Sequence, residues 1–350
     1  MPGILNFFYS SAWILSSIFI PLIARRYTDN LFLISLILGL YNAMLFVSSI
    51  IFGRLGDVVG RKRMVLFGFL VSAIIFCCHN FINSLSSLFF FRGLAGIGVG
   101  IIPGSLAALA WGGSIGFFTA LGSLGFSVGN FLAGTLSEDF FIFSGASLLC
   151  LIGFVGTLFV KEKRKKIAVP LFPHKIAVRN VNVYLPFFIR HSAAQAIWAI
   201  FPIYLAGLGA SKLWIGVIYG INPLMQFVFM LILDRYRSTR LIAWGLVASA
   251  VTFFGYGISP NWQIILFFQI ILGFSWANLY LGSMKHLLEK NVEQATATGF
   301  LSSVIGLSGI VGPLIGGVIS FLGIRTLLFC SSLLAFLAFI ISKSPRLQAR

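Results

Sequence analysis

Asp57 is one of eight acidic residues in a chain of 350, and it stands in the turn Gly53-Arg54-Leu55-Gly56-Asp57-Val58-Val59-Gly60-Arg61-Lys62-Arg63 between two long apolar runs. A carboxylate there can accept hydrogen bonds or hold the N-terminus of a neighbouring helix, where the macrodipole favours negative charge. Gly53, Gly56 and Gly60 let backbones approach closely. Arg61, Lys62 and Arg63 suit the anionic face of a membrane. An ordinary basic turn would explain the cations but not the Gly-Asp-Gly spacing. A second stretch, Leu233-Asp234-Arg235-Tyr236-Arg237-Ser238-Thr239-Arg240, keeps the acid and the bases but lacks the glycines.

Polar side chains inside apolar runs are the other candidates. An arginine such as Arg92 costs about 2.5–3.5 kcal/mol at a membrane helix centre on insertion scales, so it should face protein or water. The competing reading is an arginine that snorkels from a helix end. Glycines follow it, but the GxGxxG spacing fails at Ile101, so they read as helix packing rather than a dinucleotide site. Tyr9 and Trp13 share a helical face, as do His191, Gln195 and Trp198, and Asn222 and Gln226. Asn42, Asn130 and Gln269 add single amides. Each alone is more often an interhelical hydrogen bond than a ligand contact.

All eight acids fall in loops or at helix ends, so a strongly cationic substrate would lack a buried counter-charge. Only His191, beside Arg190, is placed for a proton relay. The remaining chemistry suits neutral, apolar or anionic molecules. No convergent nucleophile, acid–base pair or metal-ligand cluster is evident, so no enzymatic activity, cofactor or metal is expected. The four cysteines lie in apolar runs without metal-ligand spacing.

These residues need a membrane to hold them. Fifty-nine per cent of the chain is hydrophobic and 9% charged, against about 25% charged in soluble domains. A net charge of +17 raises nucleic acid as a partner, but the cations sit in short loops and form no basic domain. Twelve apolar runs are centred near residues 14, 42, 73, 96, 124, 150, 195, 222, 249, 274, 308 and 333. About 20 helical residues cross a bilayer, whose dry core demands that every backbone amide be satisfied internally. The sequence therefore predicts an all-α integral membrane protein. The first run has no basic segment before it and reads as a retained helix.

With both termini in the cytoplasm, 19 of the 25 Lys and Arg residues fall in inside loops and four outside. That bias sets the orientation. The longest polar break, 161–180, divides an N-terminal half, 1–160, from a C-terminal half, 181–350. The halves repeat at one offset: Asp57 onto Asp234, Arg92 onto Gln269, Gly96 onto Gly273, Gly122 onto Gly299 and Gly129 onto Gly306. Transporters commonly carry such repeats, with the site between them.

The 53–63 turn resembles the loop joining helices two and three in the major facilitator superfamily. The Arg92 run resembles that family's fourth-helix motif. Gly312-Pro313-Leu314-Ile315-Gly316-Gly317 and Gly129-Asn130-Phe131-Leu132-Ala133-Gly134 resemble its fifth-helix motif, Gly-Pro followed by paired small residues, best known from antiporters. Asn130 replaces the proline in the second of these. Val58 replaces the basic residue that usually follows the acid, which leaves the clamp one charge short.

The resemblance covers essentially the whole chain. It implies twelve transmembrane helices in two pseudo-symmetric six-helix bundles, alternating access, and a monomer in the cell membrane. It makes Gly53, Asp57, Gly60, Arg61, Lys62, Asp234, Arg235 and Arg240 gate residues and Gly312, Pro313, Gly316 and Gly317 a hinge. Tyr9, Trp13, Asn42, Arg92, Asn130, His191, Gln195, Asn222, Gln226 and Gln269 become the substrate-cavity candidates. Asp57 should meet the start of the eleventh helix near 296–299, and Asp234 the start of the fifth near Gly113. The substrate is a small molecule, with export of drug-like or hydrophobic compounds favoured. Sugar, organic-anion or metabolite transport and a non-transporting sensor are the alternatives. A coupling proton or ion stays open.

Overall fold

The fold is that of a computed structural model, which describes residues 1–28, 30–136, 138–162, 167 and 169–343. The expected acid Asp29, part of the 161–180 linker and the last seven residues lie outside the described residues. The helices, in order, are α1 (Pro2–Leu15), α2 (Ile20–Arg25), α3 (Leu31–Val59), α4 (Arg61–Cys78), α5 (Leu85–Ala110), α6 (Ile115–Thr135), α7 (Asp139–Leu158), α8 (His174–Arg179), α9 (Val181–Trp198), α10 (Phe201–Gly207), α11 (Lys212–Leu233), α12 (Ser238–Ile258), α13 (Trp262–Lys290), α14 (Gln294–Ser320) and α15 (Ile324–Lys343). Among the described residues there is no β-strand beyond one isolated bridge, Trp111 to Gly113.

Ten of these helices are long and apolar enough to cross a membrane. The first and seventh predicted spans differ, because each is interrupted. α1 stops at Leu15 and α2 resumes at Ile20, with Pro21 in its first turn. α9 stops at Trp198 and α10 resumes at Phe201, with Pro202 in its first turn. Proline lacks an N–H and favours the first turn of a helix, so each one restarts the helix instead of continuing it.

The burial pattern suits a lipid solvent. Arg92 is 1% exposed, whereas Phe90, two residues before it, is 62% exposed. Charge is turned inward and apolar surface outward, as hydrocarbon surroundings require.

The chain forms two compact units. One comprises Met1–Pro173 with Lys290–Gly306, the other His174–Glu289 with Leu307–Arg350. In the first unit α3 packs on α5, α1 on α6, and α4 on α5 and α7. In the second, α15 packs on α9 and α12. A buried cluster including Phe201, Phe253, Tyr256 and Ile265 forms the second unit's core.

Candidate functional site

The stretch expected as a turn is helical up to Val59, and within the first unit this last turn of α3 holds the start of α14. Asp57 is 2% exposed. Its Oδ2 accepts hydrogen bonds from the Thr296 amide and the Thr296 hydroxyl, both at 2.8 Å, and its Oδ1 accepts one from the Ala295 amide at 3.2 Å. A helix N-terminus leaves its first amides without intrahelical partners and carries partial positive charge. Asp57 supplies both the acceptors and the opposite charge from a distant point in sequence. It meets α14 at the start of the predicted 296–299 stretch and one residue before it.

Arg61 completes the carboxylate's surroundings. Its Nη2 donates to Asp57 Oδ1 at 3.1 Å and its Nη1 donates to Gln294 Oε1 at 3.0 Å. Arg61 therefore supplies, one helical turn later, the cation that Val58 does not. It also makes Arg61 more than a residue for the lipid face.

Glycines make room for the contact. A Cβ on Gly53 would fall 2.8 Å from the Ala295 carbonyl oxygen, and one on Gly104 would fall 2.6 Å from the same atom. Thr298 Oγ1 donates to the Gly104 carbonyl at 2.9 Å. Gly60 serves a different need, because its φ of 129° lies in the left-handed region that side chains disfavour. There it ends α3 and starts α4.

A second carboxylate repeats the capping. Glu162 accepts from the Arg61 amide at 3.0 Å and from the Lys62 amide at 3.1 Å, holding the N-terminus of α4. Lys62 Nζ donates to the Leu158 carbonyl at 2.7 Å. Arg54 donates to the Pro170 carbonyl at 2.7 Å and the Val169 carbonyl at 3.0 Å. The described parts of the linker are thus tied to the end of α3 and the start of α4.

Two arginines are buried in the apolar segments. Arg92 on α5 donates to the Ser16 carbonyl at 3.3 Å and the Ser17 hydroxyl at 3.4 Å, and lies 4.3 Å from the centre of the Tyr41 ring. The break between α1 and α2 presents those serines. Arg190 on α9 is 2% exposed and donates to Ser249 Oγ at 2.6 Å and Ser275 Oγ at 3.3 Å. The Phe253 and Trp276 rings stand 5.5 and 5.4 Å from it. Among the described residues no carboxylate pairs with either guanidinium.

A family model of the Major Facilitator Superfamily matches residues 3–232 and 183–347. The chain belongs to the Major Facilitator Superfamily. Among its relatives, the uncharacterized MFS-type transporter YuxJ of Bacillus subtilis is 23% identical over 320 residues, covering 81% of this chain and 80% of that protein. The quinolone resistance protein NorA of Staphylococcus aureus is 23% identical over 167 residues, 46% of this chain and 43% of that protein. The crystal structure of the human organic anion transporter MFSD10 (TETRAN) superposes with a TM-score of 0.81 at 14% identity, over 98% of this chain and 97% of that one. At that identity the likeness shows the fold.

Of this superfamily member's other predicted residues, some meet and some do not. Tyr9 donates its hydroxyl to the Val99 carbonyl at 3.1 Å and stands beside Trp13, with ring centres 5.8 Å apart. Asn42 turns back to the Leu38 carbonyl on its own helix at 3.0 Å. Asn130 is half-buried on α6. His191 and Gln195 meet at 3.2 Å, and Gln226 donates to Asn222 at 2.7 Å. Gln269 is fully buried on α13, and among the described residues neither of its side-chain polar atoms has a hydrogen-bond partner.

Asp234 pairs within its own unit, with Lys285 Nζ at 3.5 Å. Arg235 lies 5.1 Å from the Tyr236 ring centre and Arg240 5.8 Å from that of Trp244. Gly312 and Gly316 press against α9: Cβ atoms there would fall 2.6 Å from the Ser192 carbonyl oxygen and 2.9 Å from that of Ala196. Gly317 faces open space, and α14 continues through Pro313.

Sequence reasoning missed Arg190 with Ser249 and Ser275, and also Glu162. Serines in an apolar run read as small packing residues. Glu162 was hidden in a charge run.

Proposed function

We propose that this chain is a secondary transporter of the cell membrane that exports organic anions with large apolar bodies by alternating access. One observation carries the reading: each compact unit buries an arginine that is met by hydroxyls, carbonyls and aromatic rings instead of a carboxylate. A guanidinium keeps its charge and offers five donors. Such a group without an acid partner attracts anions and disfavours cations. The names of NorA and MFSD10, a resistance protein and an organic anion transporter, point the same way.

In this reading the α1–α2 and α9–α10 pairs each complete one crossing, giving twelve spans in the halves 1–160 and 181–350, with both termini cytoplasmic. Asp57 and Arg61 hold the start of α14, and transport requires that hold to release and re-form. Gly312 and Gly316 fix α14 against α9. Tyr9, Trp13, His191, Gln195, Asn222, Gln226 and Gln269 contribute aromatic and amide contacts to the bound molecule. The protein works as a monomer and leans weakly on a proton gradient, with His191 the candidate to relay one.

Purified protein in liposomes tests this. Efflux of an anionic fluorescent dye such as fluorescein is followed with and without a pH gradient. Dye movement that depends on Arg92 and Arg190 and changes less than about twofold with the gradient is the expected result. Movement of a cationic dye alone, or of neither, would overturn the reading.

A further inference from the structure

A groove of about 790 Å³ lies in the second unit between α12, α13 and α15. Arg237, Arg240, Trp244, Val247 and Val251 line one wall, and the last four recur at helical spacing along one face of α12. Phe274 of α13 and Phe339 of α15 close the sides, and Lys343 ends α15 beside the cationic mouth. Trp244, Val247 and Val251 are 38, 38 and 49% exposed, so the apolar wall opens outward.

The charge at the mouth is unbalanced. Arg237, Arg240 and Lys343 are all exposed, and among the described residues none has a carboxylate partner. Glu289 nearby accepts from Ser238 Oγ at 3.0 Å and does not line the groove. Arg237 is the N-cap of α12, and no side chain caps that terminus. The anion-favouring end of the helix therefore adds to three cations. From Arg237 to Val251 the α12 wall rises ~21 Å at 1.5 Å per residue. That exceeds the ~15 Å of one leaflet's hydrocarbon, half of about 30 Å.

We propose that this groove is a binding site for one anionic phospholipid, its phosphate on Arg237, Arg240 and Lys343 and an acyl chain along Val247, Val251 and Phe339. A soluble anion would use the cations and leave the apolar wall bare. A zwitterionic lipid would use the wall and leave the cations unbalanced. The inference stands apart from the transport reading, because lipid retention is measured without flux.

Native mass spectrometry of the full chain in detergent, titrated with phosphatidylglycerol or phosphatidylcholine, tests it. Phosphatidylglycerol should be retained at one tight equivalent and phosphatidylcholine weakly. Each single substitution, Arg237→Gln, Arg240→Gln or Lys343→Gln, should weaken retention about fivefold, the effect of about one cation at a lipid surface. The triple variant should lose more than tenfold, and the single variants decide should it not fold. Val251→Trp, which fills the wall and keeps the charge, should lose retention as well. Lys175→Gln should not change it, and excess inorganic phosphate should not displace the lipid. Equal retention of both lipids, displacement by phosphate alone, or unchanged retention in the single cation variants would overturn the proposal.

Discussion

Asp57 accepts two hydrogen bonds from Thr296, one from its amide and one from its hydroxyl, each 2.8 Å long. The two residues are 239 positions apart. The carboxylate is buried, so its bonds are shielded from water and from salt. Hydrogen bonds to a charged group contribute about 1.5–3 kcal/mol, and breaking a buried charged pair by truncating one side costs about 3–5 kcal/mol.

Asp57→Asn should therefore destabilise the first unit by about 2–4 kcal/mol, since an amide offers a donor where α14 and Arg61 also donate. Thr296→Val should cost about 1.5–3 kcal/mol, the hydroxyl bond to the carboxylate alone. Chemical unfolding of the two single variants and the double should give a coupling of about 1–2 kcal/mol. Simple additivity would mean the contact contributes nothing in solution.

Gly53→Ala should cost about 1–3 kcal/mol, because its methyl would press on the Ala295 carbonyl across a close helix contact. Gly317→Ala is the matched control. Among the described residues nothing beyond its own helix lies within 4 Å of its Cβ position, so the change should be neutral or stabilising by about 0.5–1 kcal/mol, as for glycine in a helix interior. Thermal unfolding in one detergent separates the two. Equal effects would show that glycine is kept at 53 for another reason.

Much of this architecture is legible in the sequence for definite reasons. Apolar runs report spans because a bilayer admits few alternatives. Local chemistry shows only that Asp57 suits a helix N-terminus; that the helix is α14 is an expectation from the family resemblance, and the hydrogen bonds to Ala295 and Thr296 agree with it. The breaks after Leu15 and Trp198 are harder: Pro21 and Pro202 are visible signals, but proline is also tolerated inside membrane helices, as Pro103 and Pro313 are. Partner choice is least legible. Nothing local shows that Arg61 turns to Asp57, that Glu162 caps α4, or that Ser249 and Ser275 solvate Arg190, because each depends on which helices become neighbours.

Glu162→Gln should cost about 0.5–2 kcal/mol, the range for loss of an N-terminal cap. Its effect should fall on the linker first. Limited proteolysis after 161 should accelerate in the variant, while the far end of α4 stays protected. Unchanged cleavage would show that Arg54 and the Ile167 amide, which donates to the Asp57 carbonyl at 3.4 Å, hold the linker without Glu162.

Arg190→Met separates folding from transport. A buried charge solvated only by serines and rings is expensive, so methionine of similar length should leave stability unchanged or raised by about 1–4 kcal/mol, as for other buried ionic groups replaced by apolar ones. Transport of an anion should nevertheless fall at least tenfold, a loss of about 1.4 kcal/mol in the rate-limiting complex. Thermal unfolding and dye efflux on the same preparation check both halves. Loss of folding with loss of efflux would assign Arg190 a structural role alone.

The most direct measurement compares two dyes of the same apolar body, one carrying a carboxylate and one a quaternary ammonium, in proteoliposomes of the wild type and the Arg92→Met and Arg190→Met variants. The account predicts that wild type moves the anion at least tenfold faster than the cation and that either variant removes the preference. Faster movement of the cation, or a preference for the anion that survives both substitutions, would contradict it.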